Sequence, residues 1–303
     1  MKNKDLLEKK HKDTLIRIFV SSFLIISFFY VAPIFINFAD KSFYTKEYKN
    51  SSQKILAYTL NKKDKKENEV LKEEDMLFDI FNLNNLESDS VRLSASTIKE
   101  LFDETGYNLK DVRKNKLVKP VALTLLPQEI KDIENVKKRK ELFIQIVLPL
   151  IIEENNNISL DRKTLFSIIN KSNNTDSEKQ WLKKKYKQYG VKSKDLSTLK
   201  MRMDVIPTSL AIAQAAKETG WGTSRFAQEG NALFGQWTWS GEGLRPKDAE
   251  EGKGHKVMKF NILQASVRAY QRNLNTHATY KEFRKTRAEL RDLKKSLDSI
   301  ELS

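Results

Sequence analysis

From Ile18 to Ala39 the chain reads IFVSSFLIISFFYVAPIFINFA, 22 residues without a charge. A helix needs about 20 such residues to cross the roughly 30 Å hydrocarbon core of a bilayer. The stretch is apolar on every face and stands close to the N-terminus, which sets it apart from a buried core helix. It is also longer than the h-region of about 7–15 residues in a cleaved signal peptide, and no A-x-A-like site follows it. Residues 18–39 are therefore expected to form an uncleaved transmembrane signal anchor. Residues 1–17 carry six Lys and Arg and residues 39–53 carry three. The positive-inside rule makes 1–17 a cytoplasmic basic tail and places everything from residue 40 onward outside the cytoplasmic membrane.

Beyond the anchor, composition excludes whole classes of chemistry. The 303 residues contain no Cys, which removes disulfides, zinc ribbons, iron–sulfur clusters and thiol catalysis. His11, His255 and His277 show no i, i+4 pairing, so a metalloprotease helix is also excluded. No metal or cofactor is expected. The formal charge of +15 raises nucleic acid as a partner. Basic residues are interleaved with acids along most of the chain, however, and no nucleic-acid motif is present, so none is expected.

Residues 40–75 are polar and rich in Lys, Glu, Asn and Ser, which suits a tether with helical tendency. An accessory region, 76–127, follows. In it Thr97 and Glu100 have capping-box spacing ahead of a short helix ending at Gly106, and Val118–Pro127 reads as extended because Pro120 and Pro127 disfavour a helix before them. From Glu129 the period is helical. The apolar run Leu142–Ile152 is too short to span a membrane and reads as a core helix kinked or broken at Pro149. Leu160–Ile169 and Ser177–Tyr189 continue the pattern, with Gly190 as a C-cap. Pro207 suits the first turn of PTSLAIAQAAKETG, closed by Gly220. Asn231–Phe260 differs, with aromatics, Gly-rich turns and an alternating KVMKF that suits a strand. Helical periodicity returns from Leu263 to Leu290, and 291–303 is a charged tail. The expected fold is mainly α, with a small β-lobe inserted in a domain spanning 128–290.

Within that domain, Glu218 occupies the last turn of a helix built on small residues (Ala211, Ala213, Ala215, Ala216), just before Gly220-Trp221-Gly222. An anion there faces the negative end of the helix macrodipole. Shielding by Trp221 or Phe226 would favour the protonated acid further. A carboxylic acid held in that form is what protonation of a glycosidic oxygen requires. Trp221, Trp237 and Trp239 place three of the four Trp within nineteen residues. Such aromatic faces suit stacking on sugar rings, as Phe234 does, and the amides of Asn231 and Gln236 suit bonding to hydroxyl and N-acetyl groups.

The segment AQAAKETGWGTSRFAQEGNALFGQW, followed by SVRAYQRNLNTHATYKEFR, resembles the Bax-type branch of bacterial peptidoglycan N-acetylglucosaminidases, relatives of the flagellar FlgJ hydrolase domain in glycoside hydrolase family 73. The resemblance covers roughly residues 135–290 and rests on the E-[ST]-G-W-G-x-S and N-x-L-F-G blocks in that order and spacing. It implies a lysozyme-like α domain with a mobile β-lobe, cleaving the β-1,4 bond after N-acetylglucosamine in wall glycan. The family's catalytic acid falls on Glu218. Its substrate-side tyrosine falls on Tyr280, with Tyr270 as the rival. The chain departs from the pattern at Lys217, where relatives often carry an apolar or neutral residue. The second carboxylate of the β-lobe has several counterparts, Glu242, Asp248, Glu250 and Glu251. Glu242 and Glu251 are the ones carried forward here, and inverting, retaining and substrate-assisted schemes all stay open.

The resemblance makes peptidoglycan strands the expected partner, and their carboxylates account for a basic protein. A lytic transglycosylase or muramidase is the enzymatic alternative, because it too would use one Glu at a helix end. A non-catalytic wall-binding scaffold is the other. Gly235, Gly241, Gly243, Gly252 and Gly254 supply turns on which the lobe is expected to close, with Trp237 stacking on a sugar.

Overall fold

The computed structural model describes residues 77–80, 82–83, 91–191, 195–238, 243–245 and 256–297. The anchor expected at 18–39, the tether, Trp239, Glu242 and Glu251 lie outside the described residues. Among the described residues, no helix is long and apolar enough to cross a membrane.

After helical residues at 77–80 and 82–83 come two short helices capped by side chains. In α1 (Ala95–Glu104) the cap is Ser94, whose Oγ accepts from the Thr97 N–H. The capping pair expected at Thr97 and Glu100 is therefore displaced one turn upstream. Ser94 has the extended backbone a cap needs, whereas Thr97 already lies inside the helix. Helix α2 (Leu109–Asn115) starts at Asn108, which accepts from the Asp111 N–H. No helix forms over Val118–Pro127, and a 3-10 turn follows at Gln128–Asp132.

Helix α3 (Val136–Ile169) runs unbroken for 34 residues, about 50 Å at 1.5 Å per residue. The break expected at Pro149 does not occur. A proline inside a helix costs about 3 kcal/mol, but Ile146, Val147, Leu148, Leu150 and Ile151 are all buried around it. Each such side chain returns roughly 1.5–3 kcal/mol, so tertiary packing outweighs the local penalty. The C-terminal half of α3 forms a second core with α4 (Asp176–Gln188) and α5 (Leu196–Arg202), centred on Leu165, Ile168, Leu182, Tyr189 and Leu199.

Helix α6 (Thr208–Thr219) crosses the first half of α3. Ala211, Ala215 and Ala216 are buried at this contact, so their small side chains let the backbones approach closely, while Ala213 is exposed. Gly220 closes the helix in the left-handed conformation, as its position predicts. Ile98, Phe102, Tyr107, Leu123 and Leu126 from residues 95–127 enter this same core beside Phe143 and Ile146.

After α7 (Arg225–Gly230) come three short strands, β1 (Trp237–Thr238), β2 (Gly243–Leu244) and β3 (Lys256–Met258), paired antiparallel in the order β1-β3-β2. Trp237 pairs with Val257, and Leu244 pairs with Val257 from the other side. Helix α8 (Leu263–Thr276) then returns against α3, and a 3-10 turn at Ala278–Tyr280 leads into α9 (Lys281–Asp292). The expected mainly α architecture with a small β-lobe is thus present.

Two buried charge systems lock the helices. Glu154, 3 % exposed, accepts from Arg268 Nε at 2.9 Å and Nη2 at 2.8 Å. Arg287, fully buried, donates to the carbonyls of Met201 and Val205, both at 3.0 Å, and fixes α9 to the turn after α5.

Candidate active site

Three elements meet at the C-terminal half of α6, which carries Glu218. The first is the end of α6 itself. Thr219 is buried, and its hydroxyl donates to the Ala215 carbonyl at 2.6 Å while accepting the Gly222 N–H at 2.9 Å. The Thr219 carbonyl accepts the Ser224 N–H at 2.9 Å, and Ser224 in turn caps α7. One threonine therefore sets the turn that follows the acid.

That turn carries a strained residue. Trp221 sits at φ 63°, a left-handed conformation that costs a non-glycine residue roughly 1–2 kcal/mol. Its N–H donates to the Ala216 carbonyl at 2.9 Å, its indole meets Phe143 edge-on with centroids 6.0 Å apart, and Lys140 Nζ lies 4.7 Å above the ring. Gly222, at φ 85°, has no room for a side chain: a Cβ would come within 3.0 Å of Phe143 and 3.2 Å of Ile130.

The second element is the entry to the β-lobe. Gly235, at φ 59°, brings its backbone against the acid, so that a Cβ there would stand 3.2 Å from Glu218 Oε2. The lobe is closed at its base by Asn231. Its side-chain amide donates to the carbonyls of Phe260 at 2.9 Å and Asn261 at 3.1 Å. Gln236 holds β3 through its carbonyl, which accepts the Met258 N–H at 2.7 Å, and its own Oε1 is buried with no partner among the described residues. Trp237 is 48 % exposed at the edge of the sheet.

The third element is α8 with the turn that follows. Tyr270, 4 % exposed, stacks on Phe234 with ring centroids 3.9 Å apart and donates its hydroxyl to Gln214 Oε1. Burial pushes the Tyr270 phenol well above its ordinary value, and neighbouring Tyr280 adds to the effect. Gln214 lies one helical turn before Glu218 on the same face of α6. Tyr280 is half-buried against the main core, and its hydroxyl forms no hydrogen bond among the described residues.

The expected residues are thus divided by role. Gly235 lies against Glu218, Tyr270 with Phe234 stacked on it reaches α6 one turn earlier at Gln214, and Tyr280 neighbours Tyr270, whereas the Trp221 ring packs against α3. Phe234 and Asn231 are committed to protein contacts, Phe234 to its stack and Asn231 to the lobe's base. The shielding expected around the acid is absent. Glu218 is exposed, Trp221 packs on Phe143, and Phe226 lies under the Arg225 guanidinium at 4.9 Å. Lys217 is exposed too, and no ion pair joins it to Glu218. Sequence reading missed Gln214, although its i−4 spacing from Glu218 marks it as a neighbour.

An exposed carboxyl thus stands at a helix end, beside the entry to a small sheet on which Trp237 is exposed. Residues 193–300 match the glucosaminidase family, described as mannosyl-glycoprotein endo-beta-N-acetylglucosaminidase. Protein bax of Escherichia coli (strain K12) is 39% identical over 159 residues, which is 50% of this chain and 57% of that protein. The match therefore spans little more than half of the relative's length. No solved structure matches. Over residues 193–300 the chain is thus similar to glucosaminidase domains.

Proposed function

We propose that the chain is a peptidoglycan hydrolase that cleaves the β-1,4 bond after N-acetylglucosamine in wall glycan strands. The observation that carries this reading is the Glu218 carboxyl at the C-terminal end of α6, held against Gly235 at the mouth of the β-lobe. In the proposed reaction Glu218 gives its proton to the glycosidic oxygen as the C1–O bond breaks. The leaving sugar takes that proton, and positive charge develops on the ring that keeps C1. A water molecule then supplies hydroxyl to C1, and its proton returns to a base on the protein. In this reading the Tyr280 hydroxyl hydrogen-bonds near the developing charge. Glu242, Glu251 or the substrate's own N-acetyl group serves as the second catalytic group.

The charge-free stretch 18–39 extends the reading to location. It supports a single-pass protein of the cytoplasmic membrane, with 40–75 as tether and the catalytic domain on the wall side. Mass spectrometry of digested wall glycan tests the function. Reducing-end N-acetylglucosamine is expected. Reducing or anhydro-muramic ends would make the protein a muramidase or lytic transglycosylase, and intact strands would make it a binding scaffold.

A further inference from the structure

We propose that the groove between α2 and the first turns of α3 binds the acidic stem peptides borne by the glycan, an inference that rests on the wall-hydrolase reading above. The groove encloses about 1040 Å³ and is walled at one end by Trp221. Its apolar floor comes from Leu109, Val136 and Ile144. Its rim is cationic, with Lys110, Arg113 and Lys137 exposed and without an ion-pair partner among the described residues, and with Lys140 held over the indole. Of the two acids at the rim, Asp111 is committed to its own helix cap. Asn108 Nδ2 donates to its carboxylate at 2.6 Å, and its N–H donates to Asn108 Oδ1 at 2.9 Å. Asp111 and Glu141 together leave the four cations with an excess of two positive charges.

A wall stem peptide alternates methyl groups with free carboxylates, so it needs an apolar floor between fixed positive charges. The groove offers both. Its size is at the upper end of the roughly 300–1,000 Å³ typical of ligand sites, which suits a short peptide better than one sugar. It also stands at the right place. Trp221 follows Glu218 by three residues, so their Cα atoms are within about 11 Å of each other, and a peptide hanging from a strand held at Glu218 can reach the groove. The left-handed backbone at Trp221 turns the indole to this side of the molecule, and strain of that kind is retained where surrounding structure enforces it.

The test uses the full chain with Lys110→Ser and Lys137→Ser combined, two exposed positions whose change leaves the core untouched. Hydrolysis is measured on strands that carry their peptides and on strands stripped of them by an amidase. Binding of a free stem tetrapeptide is followed by calorimetry at low and high salt. The double variant should lose about tenfold in kcat/KM on peptide-bearing strands, the scale of losing hydrogen bonds to charged groups, and keep its rate on stripped strands. Tetrapeptide binding by the unaltered chain should weaken with salt and be lost in the variant. Equal effects on both strands, or unchanged tetrapeptide binding in the variant, overturn the proposal. If the unaltered chain binds tetrapeptide but cleaves neither strand, the groove stands and the hydrolase reading falls.

Discussion

Gly235 lies so close beneath Glu218 that a Cβ at that position would stand 3.2 Å from the carboxylate Oε2. The lobe's first turn and the end of α6 are therefore fitted to one another, and the fit depends on a residue without a side chain. Gly235→Ala adds a methyl group against the carboxylate and forces a left-handed backbone on alanine, at roughly 1–2 kcal/mol. A modest fall in melting temperature is expected together with a loss of wall hydrolysis of about tenfold or more, since small misplacements of a reacting group are costly. Undiminished activity in a folded Gly235→Ala protein would show that the contact does not position the acid.

Glu218→Gln keeps the size and most hydrogen bonding of the side chain but has no proton to transfer. General acid catalysis is worth about 10²–10⁴-fold, and hydrolysis should fall by that order. Melting temperature and pelleting with insoluble wall should stay near those of the unaltered protein, because the side chain is exposed. A variant that releases glycan fragments at near-normal rate removes Glu218 from the mechanism.

The two tyrosines should separate by the kind of damage they do. Tyr270 is buried and donates to Gln214, so Tyr270→Phe strands the Gln214 acceptor and should cost about 1 kcal/mol of stability. The Tyr280 hydroxyl has no hydrogen-bond partner among the described residues, so Tyr280→Phe should leave stability alone and lower kcat more than wall binding. Thermal melts and steady-state kinetics on the pair check this. The reverse pattern would make Tyr270 the substrate-side group.

Much of this site was readable from local chemistry. The Pro207–Gly220 helix announces itself by a proline at one end and a glycine at the other, and KVMKF alternates as a strand should. What local reasoning cannot weigh is tertiary burial. Pro149 looks like a break because its missing N–H is visible in the sequence, while the buried side chains around it are not. The same holds for Glu154 and Arg268, which lie far apart in the chain and meet only in the fold. Shielding of Glu218 by Trp221 failed for a related reason, since three successive left-handed residues, Gly220, Trp221 and Gly222, turn the indole towards Phe143. Gln214 escaped notice because an amide in a helix has no meaning until Tyr270 is brought to it by α8.

The short segment ahead of the domain offers a pH test with a defined sign. Ile80 is buried with Phe260 and Ile262 behind the β-lobe, and Asp79 accepts from Arg272 at 3.1 and 3.0 Å and from Gln188 at 2.9 Å. Burial alone would raise the Asp79 carboxyl, but the charge and hydrogen bonds of Arg272 outweigh it and hold the group below its ordinary value. An unfolded Asp titrates near about 3.9. The stabilisation is therefore complete above that pH, and it is lost as pH falls through the lower value of the folded state. Asp79→Asn should be less stable than the unaltered protein at pH 7, by about 1–3 kcal/mol for the lost charged hydrogen bonds. The gap between the two proteins should narrow as pH drops below about 4, because protonation removes in one what substitution removed in the other. Denaturant melts of both at pH 7, 5 and 3 measure it, and hydrogen exchange at residues 77–80 shows whether the change arises at this segment. A gap of constant size across that range would mean that the Asp79 charge contributes nothing, and that the segment is held by its apolar contacts.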